Sequence, residues 1–200
     1  MKDQKAIKIR ICGKGGQGIV LLGNILGLAG VLQGKFVSAL PSIGPEPRGG
    51  ISSSDVIMSN EPIDFPKIDR ADMLIAFSSS SYERHAPILT DDGLVFYDTL
   101  FLRPAHRPEG RGLASNGQSH SQSHRPRYYG IPAALSIQKE TKGLMGSNIA
   151  LLAFAVRLAR IVSLDVLTKA VRALSPADAL TANLKAIEVG IRLSRKVKYP

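Results

Sequence analysis

A strand, a glycine-rich turn and a helix follow one another near the start of the sequence, and this unit constrains the fold most. Residues 7–12 alternate isoleucine with lysine, arginine and cysteine, which is strand periodicity with one polar face. Residues 13–18 read GKGGQG, and an apolar stretch over residues 19–32 predicts a helix that ends before Gly34. A central parallel strand is usually apolar on both faces, so the polar face indicates solvent or a partner subunit.

The rest of the chain alternates strand and helix patterns and then becomes helical. We expect Gly23 and Gly27, on one face of the first helix, to permit close contact with a sheet or a neighbouring helix. Asn148 is the polar residue at the start of an apolar helix, where we expect it to be hydrogen-bonded. Further strands are predicted at residues 36–40, 51–58, 71–77 and 94–97, with a turn at 91–93. Helices are predicted at residues 80–89, 147–162 and 163–174, with a last one from Ser175 that places Pro176 and Asp178 in its first turn.

These patterns predict an α/β fold. We expect one three-layer domain over residues 1–200, with a largely parallel central sheet and a helical C-terminal part. Residues 103–127 interrupt the pattern, because they are rich in Arg, His, Ser, Gly and Pro. Such a segment buries too little apolar area to offset its ordering entropy, so we predict a flexible insertion there.

The glycine turn formally matches the GxGxxG dinucleotide fingerprint, and it lies between a strand and a helix as that fingerprint requires. Free amide groups at the helix start would then face a phosphate, and Lys14 would add charge. However, residues 35–41 contain no acid for the ribose hydroxyls, and the next acid is Glu46. Three interpretations stay open: a dinucleotide site, another phosphate or anion contact, and a tight turn that packs on the sheet or a partner. The candidate binding residues are Gly13, Lys14, Gly15, Gly16, Gln17 and Gly18.

A second candidate is the loop at residues 45–50, which reads PEPRGG. Its prolines stiffen the backbone, its glycines permit unusual dihedral angles, and Arg48 presents a planar fork of donors. This chemistry suits a carboxylate or phosphate of a ligand or a neighbouring subunit. The alternative is a structural pair between Arg48 and Glu46 or another exposed acid.

Composition excludes several classes of site. Cys12 is the one cysteine, which rules out an internal disulfide and an iron–sulfur cluster ligated by this chain alone. His120 and His124 lie four residues apart without an acidic ligand nearby, so we predict no metal site. The serines at 78–81 lack a nucleophile motif and indicate helix capping. We find no catalytic residues.

The formal net charge is +10, but no basic cluster alternates with aromatic residues, and the chain carries no nucleic-acid-binding motif. No apolar stretch is long enough to span a bilayer. We therefore expect no binding of nucleic acid, no membrane insertion and a cytoplasmic location.

The sequence resembles the gamma subunit, or gamma domain, of 2-oxoacid:ferredoxin oxidoreductases. The paired motifs at residues 11–18 and 42–50 carry the resemblance, in this order and spacing. It covers most of the chain except residues 103–127. Further matching stretches are residues 55–58, 61–64, 71–75, 130–132 and Asn148 with its helix.

The resemblance implies a complex that converts a 2-oxoacid, coenzyme A and oxidised ferredoxin to an acyl-CoA, carbon dioxide and reduced ferredoxin. It implies that thiamine diphosphate, Mg²⁺ and iron–sulfur clusters are bound by alpha, beta and delta-type partners and not by this chain. Lys14 and Arg48 would then lie near the coenzyme A path or a subunit contact. The alternatives are a free-standing dinucleotide-binding oxidoreductase and a purely structural assembly subunit.

Overall fold

The fold is given by a computed structural model, which describes residues 6–44, 50–103 and 126–197. Within these residues it contains six strands, six α-helices and a 3-10 turn at Ala86–Ile88. The strands are β1 (Ile7–Lys14), β2 (Phe36–Ile43), β3 (Ile51–Ser59), β4 (Ala71–Ala76), β5 (Leu89–Asp98) and β6 (Arg127–Ile131). The helices are α1 (Ile19–Leu32), α2 (Ser79–His85), α3 (Ala133–Thr141), α4 (Ser147–Ala159), α5 (Leu164–Leu174) and α6 (Leu180–Ser194).

The strands form one sheet in the order β2-β3-β1-β4-β5-β6. β3 is antiparallel to both β1 and β2, whereas β4, β5 and β6 continue parallel to β1. Five strands therefore run in one direction, which confirms the largely parallel sheet. β2 is an edge strand, and this explains why Pro41, which donates no backbone hydrogen bond, is tolerated within it.

One face of the sheet carries most of the helices and the larger core. α1 lies on β2 and β3, and a Cβ atom added to Gly27 would lie 3.2 Å from the Cβ of Ala39. The predicted close contact of this helix face with the sheet is therefore confirmed. Residues 149–156 of α4 are apolar on all sides, and all of them are buried, because this part of the helix lies between the sheet and α6.

The other face is thinner and more polar, with α2 as its main helix. Arg10 of β1 donates two hydrogen bonds of 2.6 Å to the carboxylate of Asp55. The side chain of Arg10 is 15% exposed and that of Asp55 is 14% exposed. The polar face of β1 thus contains an ion pair within the chain. In the described part of the chain, every helix is too short or too polar to cross a bilayer.

Several predicted boundaries were wrong. Residues 91–93 lie inside β5, where the pairing with β4 shifts register, and not in a turn. α4 ends at Ala159 because Arg160 adopts a left-handed conformation, with φ of 53°. β6 was not predicted, whereas α3 lies in the part that was predicted to be helical, although its bounds were not predicted. Of the insertion expected at 103–127, residues 104–125 lie outside the described residues.

The predicted start of the last helix was also wrong. α6 begins at Leu180. Ser175 instead follows α5 as its C-cap, and its hydroxyl accepts a hydrogen bond of 2.9 Å from Nδ2 of Asn183. Pro176 and Asp178 belong to the turn between the two helices. A helix N-cap signature is a local signal, and here the contact between the two helices overrides it.

Candidate functional site

The glycine turn lies at the carboxyl end of β1, between this strand and α1. Gly18 precedes α1 with φ of 75°, a conformation that disfavours any residue with a Cβ atom. A Cβ on Gly13 would lie 2.6 Å from the side-chain oxygen of Gln17, so the turn is also closely packed. Lys14, Gly15 and Gly16 are exposed at the tip.

Gln17 closes this turn with its side chain. Its Oε1 accepts a hydrogen bond of 2.6 Å from the amide of Lys14, and its Nε2 donates one of 3.0 Å to the carbonyl of Phe77. Phe77 directly follows β4, the parallel neighbour of β1. The side chain of Gln17 therefore ties the glycine turn to the adjacent strand end.

Asn148 at the start of α4 holds the turn from the other side. Its Nδ2 donates a hydrogen bond of 3.1 Å to the carbonyl of Gln17, and its Oδ1 accepts one of 2.8 Å from the amide of Ile149. A Cβ on Gly18 would lie 2.6 Å from Nδ2 of Asn148. Gln17, Gly18 and Asn148 therefore fit together, and the expected hydrogen bond of Asn148 at its helix start is confirmed.

The proline loop is anchored beside the glycine turn. The amide of Gly15 donates a hydrogen bond of 2.9 Å to the carbonyl of Gly50, and the amide of Gly44 donates one of 3.1 Å to that of Ile51. Both ends of this β2–β3 connection thus lie at the same end of the sheet as the turn. Arg48 itself lies outside the described residues.

A groove of about 430 Å³ lies next to the glycine turn. Gln17 and Asn148 contribute polar groups to its wall. Its rim carries three exposed apolar side chains, Phe101, Leu144 and Met145, with exposed fractions of 40%, 47% and 56%. These three residues were not predicted from the sequence. A single apolar residue in a loop forms no periodic pattern, so its sequence context does not distinguish a binding surface from an ordinary connection.

Asp98 organises the same end of the sheet. This buried carboxylate, at the end of β5, accepts hydrogen bonds from the amides of Leu100 (3.0 Å) and Ala134 (2.6 Å). Burial raises the pKa of Asp98 above its usual value, and the two amides oppose that rise. Asp98 therefore fixes the turn that carries Phe101 to the start of α3.

The turn differs from a dinucleotide site in two ways. The amides of Lys14 and Gly15 already donate to Gln17 and Gly50, so these groups do not face a phosphate. On the side away from β4, β1 pairs with the antiparallel β3, whereas a dinucleotide fold places on that side a parallel strand whose end presents the ribose-binding acid. The geometry favours a closed turn with an exposed Lys14.

The titratable groups of the described residues do not form a redox or metal centre. Cys12 is fully buried, and burial raises the pKa of its thiol to about 12, so it is a poor metal ligand. Its side chain therefore does not fit an iron–sulfur cluster, which needs about four thiolates. No metal-binding group of His, Cys, Asp or Glu occurs among the described residues, and His120 and His124 lie outside them.

The serine cluster caps a helix, as predicted. Oγ of Ser78 accepts a hydrogen bond from the amide of Ser81 at 3.3 Å, in the position that begins α2. The hydroxyls of Ser78 and Ser81 also bond to each other at 2.8 Å. Helix capping therefore explains the positions of both hydroxyl groups, and neither needs a role as a nucleophile.

The comparisons with known proteins all indicate the same family. Residues 8–193 match the pyruvate ferredoxin/flavodoxin oxidoreductase family. The 2-oxoglutarate synthase subunit KorC of Methanocaldococcus jannaschii is 33% identical over 191 residues, which cover 95% of each chain. The ketoisovalerate oxidoreductase subunit VorA of Methanothermobacter marburgensis is 32% identical over 196 residues, which cover 96% of this chain and 37% of that protein.

Solved structures agree. The gamma subunit of a keto/oxoacid ferredoxin oxidoreductase from Geobacter sulfurreducens matches with a TM-score of 0.73 and 25% identity, over 96% of this chain and 99% of that one. A 2-oxoglutarate:ferredoxin oxidoreductase from Magnetococcus marinus, with 2-oxoglutarate, coenzyme A and succinyl-CoA bound, matches with a TM-score of 0.77 and 22% identity. That match covers 99% of this chain and 32% of the other, and it shows a shared fold.

The chain belongs to the pyruvate ferredoxin/flavodoxin oxidoreductase family. Within it, the chain is a gamma-type subunit of a 2-oxoacid:ferredoxin oxidoreductase, a multi-subunit enzyme complex. The resemblance carried by residues 11–18 and 42–50 is thereby confirmed.

Proposed function

We propose that this chain is a cofactor-free subunit of a complex that oxidatively decarboxylates a 2-oxoacid to an acyl-CoA and passes electrons to ferredoxin. Thiamine diphosphate, Mg²⁺ and the iron–sulfur clusters are held by alpha, beta and delta-type partner subunits. The chemistry of Cys12 supports the assignment of the clusters to the partner subunits, since one buried thiol with a raised pKa does not hold a cluster.

The glycine-turn end of this chain faces the partner subunits. The observation that carries this step is the rim of Phe101, Leu144 and Met145, three large apolar side chains that are each at least 40% exposed around one groove. Apolar side chains clustered beside fixed polar groups are typical of protein interfaces. The internal hydrogen bonds of Gln17 and Asn148 keep this surface rigid, which lowers the entropic cost of association.

Lys14 and Arg48 serve the path of coenzyme A at this end. Lys14 is exposed at the tip of the closed turn, and Gly15 connects the turn to Gly50 at the base of the loop that carries Arg48. Two cations on segments that neighbour each other suit the phosphates of coenzyme A. The bound coenzyme A of the Magnetococcus marinus enzyme is consistent with such a path.

Steady-state kinetics of the co-expressed complex test this role. We expect Lys14→Gln and Arg48→Gln each to raise KM for coenzyme A about threefold to tenfold, since one charged contact contributes roughly 1 kcal/mol. The value of kcat and the KM for the 2-oxoacid should not change. Lys67→Gln is the matched control, because Lys67 is an exposed lysine in the segment between β3 and β4.

The competing hypothesis is a purely structural subunit. The hydrogen bonds that the amides of Lys14 and Gly15 donate within the chain favour this hypothesis, because these two amides are then not free to bind a ligand. It predicts that loop variants change assembly alone. If the complexes with Lys14→Gln and Arg48→Gln are intact and their KM for coenzyme A is unchanged, the loops do not serve coenzyme A.

A further inference from the structure

A basic surface lies at the end of the sheet opposite the glycine turn. α4 and α6 run in the same direction: Gly146, just before α4, packs near Ala186 of α6, and Gly190, further along α6, packs near Ala153 of α4. The two helices therefore end side by side, close to the start of β1. We call this surface the basic end, and its exposed cations are Arg157, Arg160, Arg195 and Lys196.

The cations of the basic end have no acidic partner among the described residues. Ion pairs of α6 occur earlier in the helix, where Arg192 pairs with Glu140 and Lys185 with Glu188. Arg160 lines three grooves of about 330, 470 and 570 Å³, and no described residue that lines them is acidic. These side chains are thus available to a partner.

Helix dipoles account for only part of this charge. The carboxyl end of a helix carries about half a negative charge, so two adjacent ends carry roughly one. Four cations exceed this by about three positive charges. Neutralising the helix ends therefore does not explain the cluster.

Arg160 ends its helix in a conformation that, among the described residues other than glycine, it shares only with Lys142 after α3. It ends α4 with φ of 53°, in the left-handed region that glycine adopts without strain. A side chain there costs roughly 1–2 kcal/mol, whereas the interaction of a cation with the helix end returns about 0.3–1 kcal/mol. Helix stability alone therefore does not favour an arginine at this position.

The shape of the basic end indicates an extended acidic ligand. The 570 Å³ groove has the apolar residues Leu158 and Val197 in its lining, beside Arg157, Arg160 and Arg195. Arginine forks match carboxylates, and an apolar floor suits aliphatic parts of a polypeptide. The described lining of the three grooves contains no aromatic ring on which a base could stack, which favours protein over single-stranded nucleic acid.

We propose that the basic end is a docking surface for an acidic segment of a partner subunit of the complex. This inference rests on the proposed function, because it requires the partner subunits. It adds a second contact to the complex, at the end of the sheet away from the glycine turn. The contact is electrostatic, whereas the contact at the glycine turn is largely apolar.

Salt-dependent binding tests the proposal. The partner subunits are co-purified without this chain and immobilised, and the full chain is applied at about 0.03 M and about 0.3 M NaCl, which shortens the screening length roughly threefold. We expect the triple variant Arg157→Gln/Arg160→Gln/Arg195→Gln to bind about tenfold more weakly than wild type at low salt, mainly through a slower association rate. The difference should shrink at high salt.

A charge-matched control separates docking from net charge. The variant Arg84→Gln/Lys169→Gln/Arg172→Gln removes three exposed cations from α2 and α5. We expect it to bind like wild type, and circular dichroism should show all three proteins folded. Equal loss in both variants, or no loss in either, would overturn the docking proposal. If wild type itself does not bind the partners, the proposed function fails.

Discussion

Replacement of Gly23 by alanine tests the packing of α1 on the sheet. A Cβ atom at this position would lie 2.7 Å from the Cβ of Ser54 in β3, roughly 1 Å inside ordinary contact. Ser54 is 1% exposed, and rotation of its hydroxyl leaves its Cβ atom in place. The helix and the strand must therefore separate.

The expected net effect is a loss of stability. Overpacking of this kind costs typically 1–3 kcal/mol, whereas alanine improves helix propensity by about 1 kcal/mol relative to glycine. The difference between these two contributions is a loss of up to about 2 kcal/mol in the free energy of unfolding of Gly23→Ala. Urea denaturation of the full chain, followed by circular dichroism, measures this difference.

The partner substitution gives a sharper test. Ser54→Gly removes the atoms that the new Cβ would meet, so Gly23→Ala in this background should be neutral or stabilising. Gly143→Ala is the control, since no atom lies within 4 Å of its added Cβ, and we expect less than about 0.5 kcal/mol of change. Stabilisation by Gly23→Ala in the wild-type background would refute the packing argument.

Two further predictions concern polar groups. Asn148→Ala removes the hydrogen bond to the carbonyl of Gln17, and we expect a loss of about 1 kcal/mol and faster hydrogen exchange of the glycine-turn amides; unchanged exchange would contradict the role of Asn148. Burial and then the guanidinium of Arg10 lower the pKa of His85 to about 4. Because the unfolded chain binds this proton near pH 6.5, stability should fall as pH decreases from about 6.5 to about 4. Urea midpoints should depend less on pH in His85→Asn, and equal profiles for both proteins would contradict this.

The first half of the fold was largely predictable from local signals. α1 occupies residues 19–32 as predicted, because a glycine turn begins it and Gly34 follows it. β3 matches its prediction to within one residue, and its apolar residues 56–58 include two β-branched side chains, which favour a strand. These elements are specified by their own sequence.

The later elements depend on tertiary contacts. β6 has only five residues and begins at the last residue of the segment predicted as an insertion, so its pattern was too short to predict a strand. Residue 175 carried a good N-cap signature, yet its hydroxyl bonds to Asn183 in the following helix. Propensity alone does not distinguish these two arrangements.

The candidate site was predictable as residues but not as geometry. The motifs at residues 13–18 and 42–50 were recognised in the sequence. Their proximity was not predicted, because it results from the antiparallel pairing of β3 with β1. The bond between Gln17 and Asn148 joins positions 131 residues apart in sequence. Contacts over such distances follow from the fold and not from local pattern.

Purification of the complex through a tag on this chain tests the central claim most directly. Native mass spectrometry, analysis of thiamine diphosphate and iron, and 2-oxoacid-dependent reduction of viologen are applied to the same sample. We expect larger partner subunits that carry both cofactors, with activity that requires coenzyme A. A chain that purifies alone with bound NAD or FAD would contradict the gamma-subunit role and assign the glycine turn to a dinucleotide.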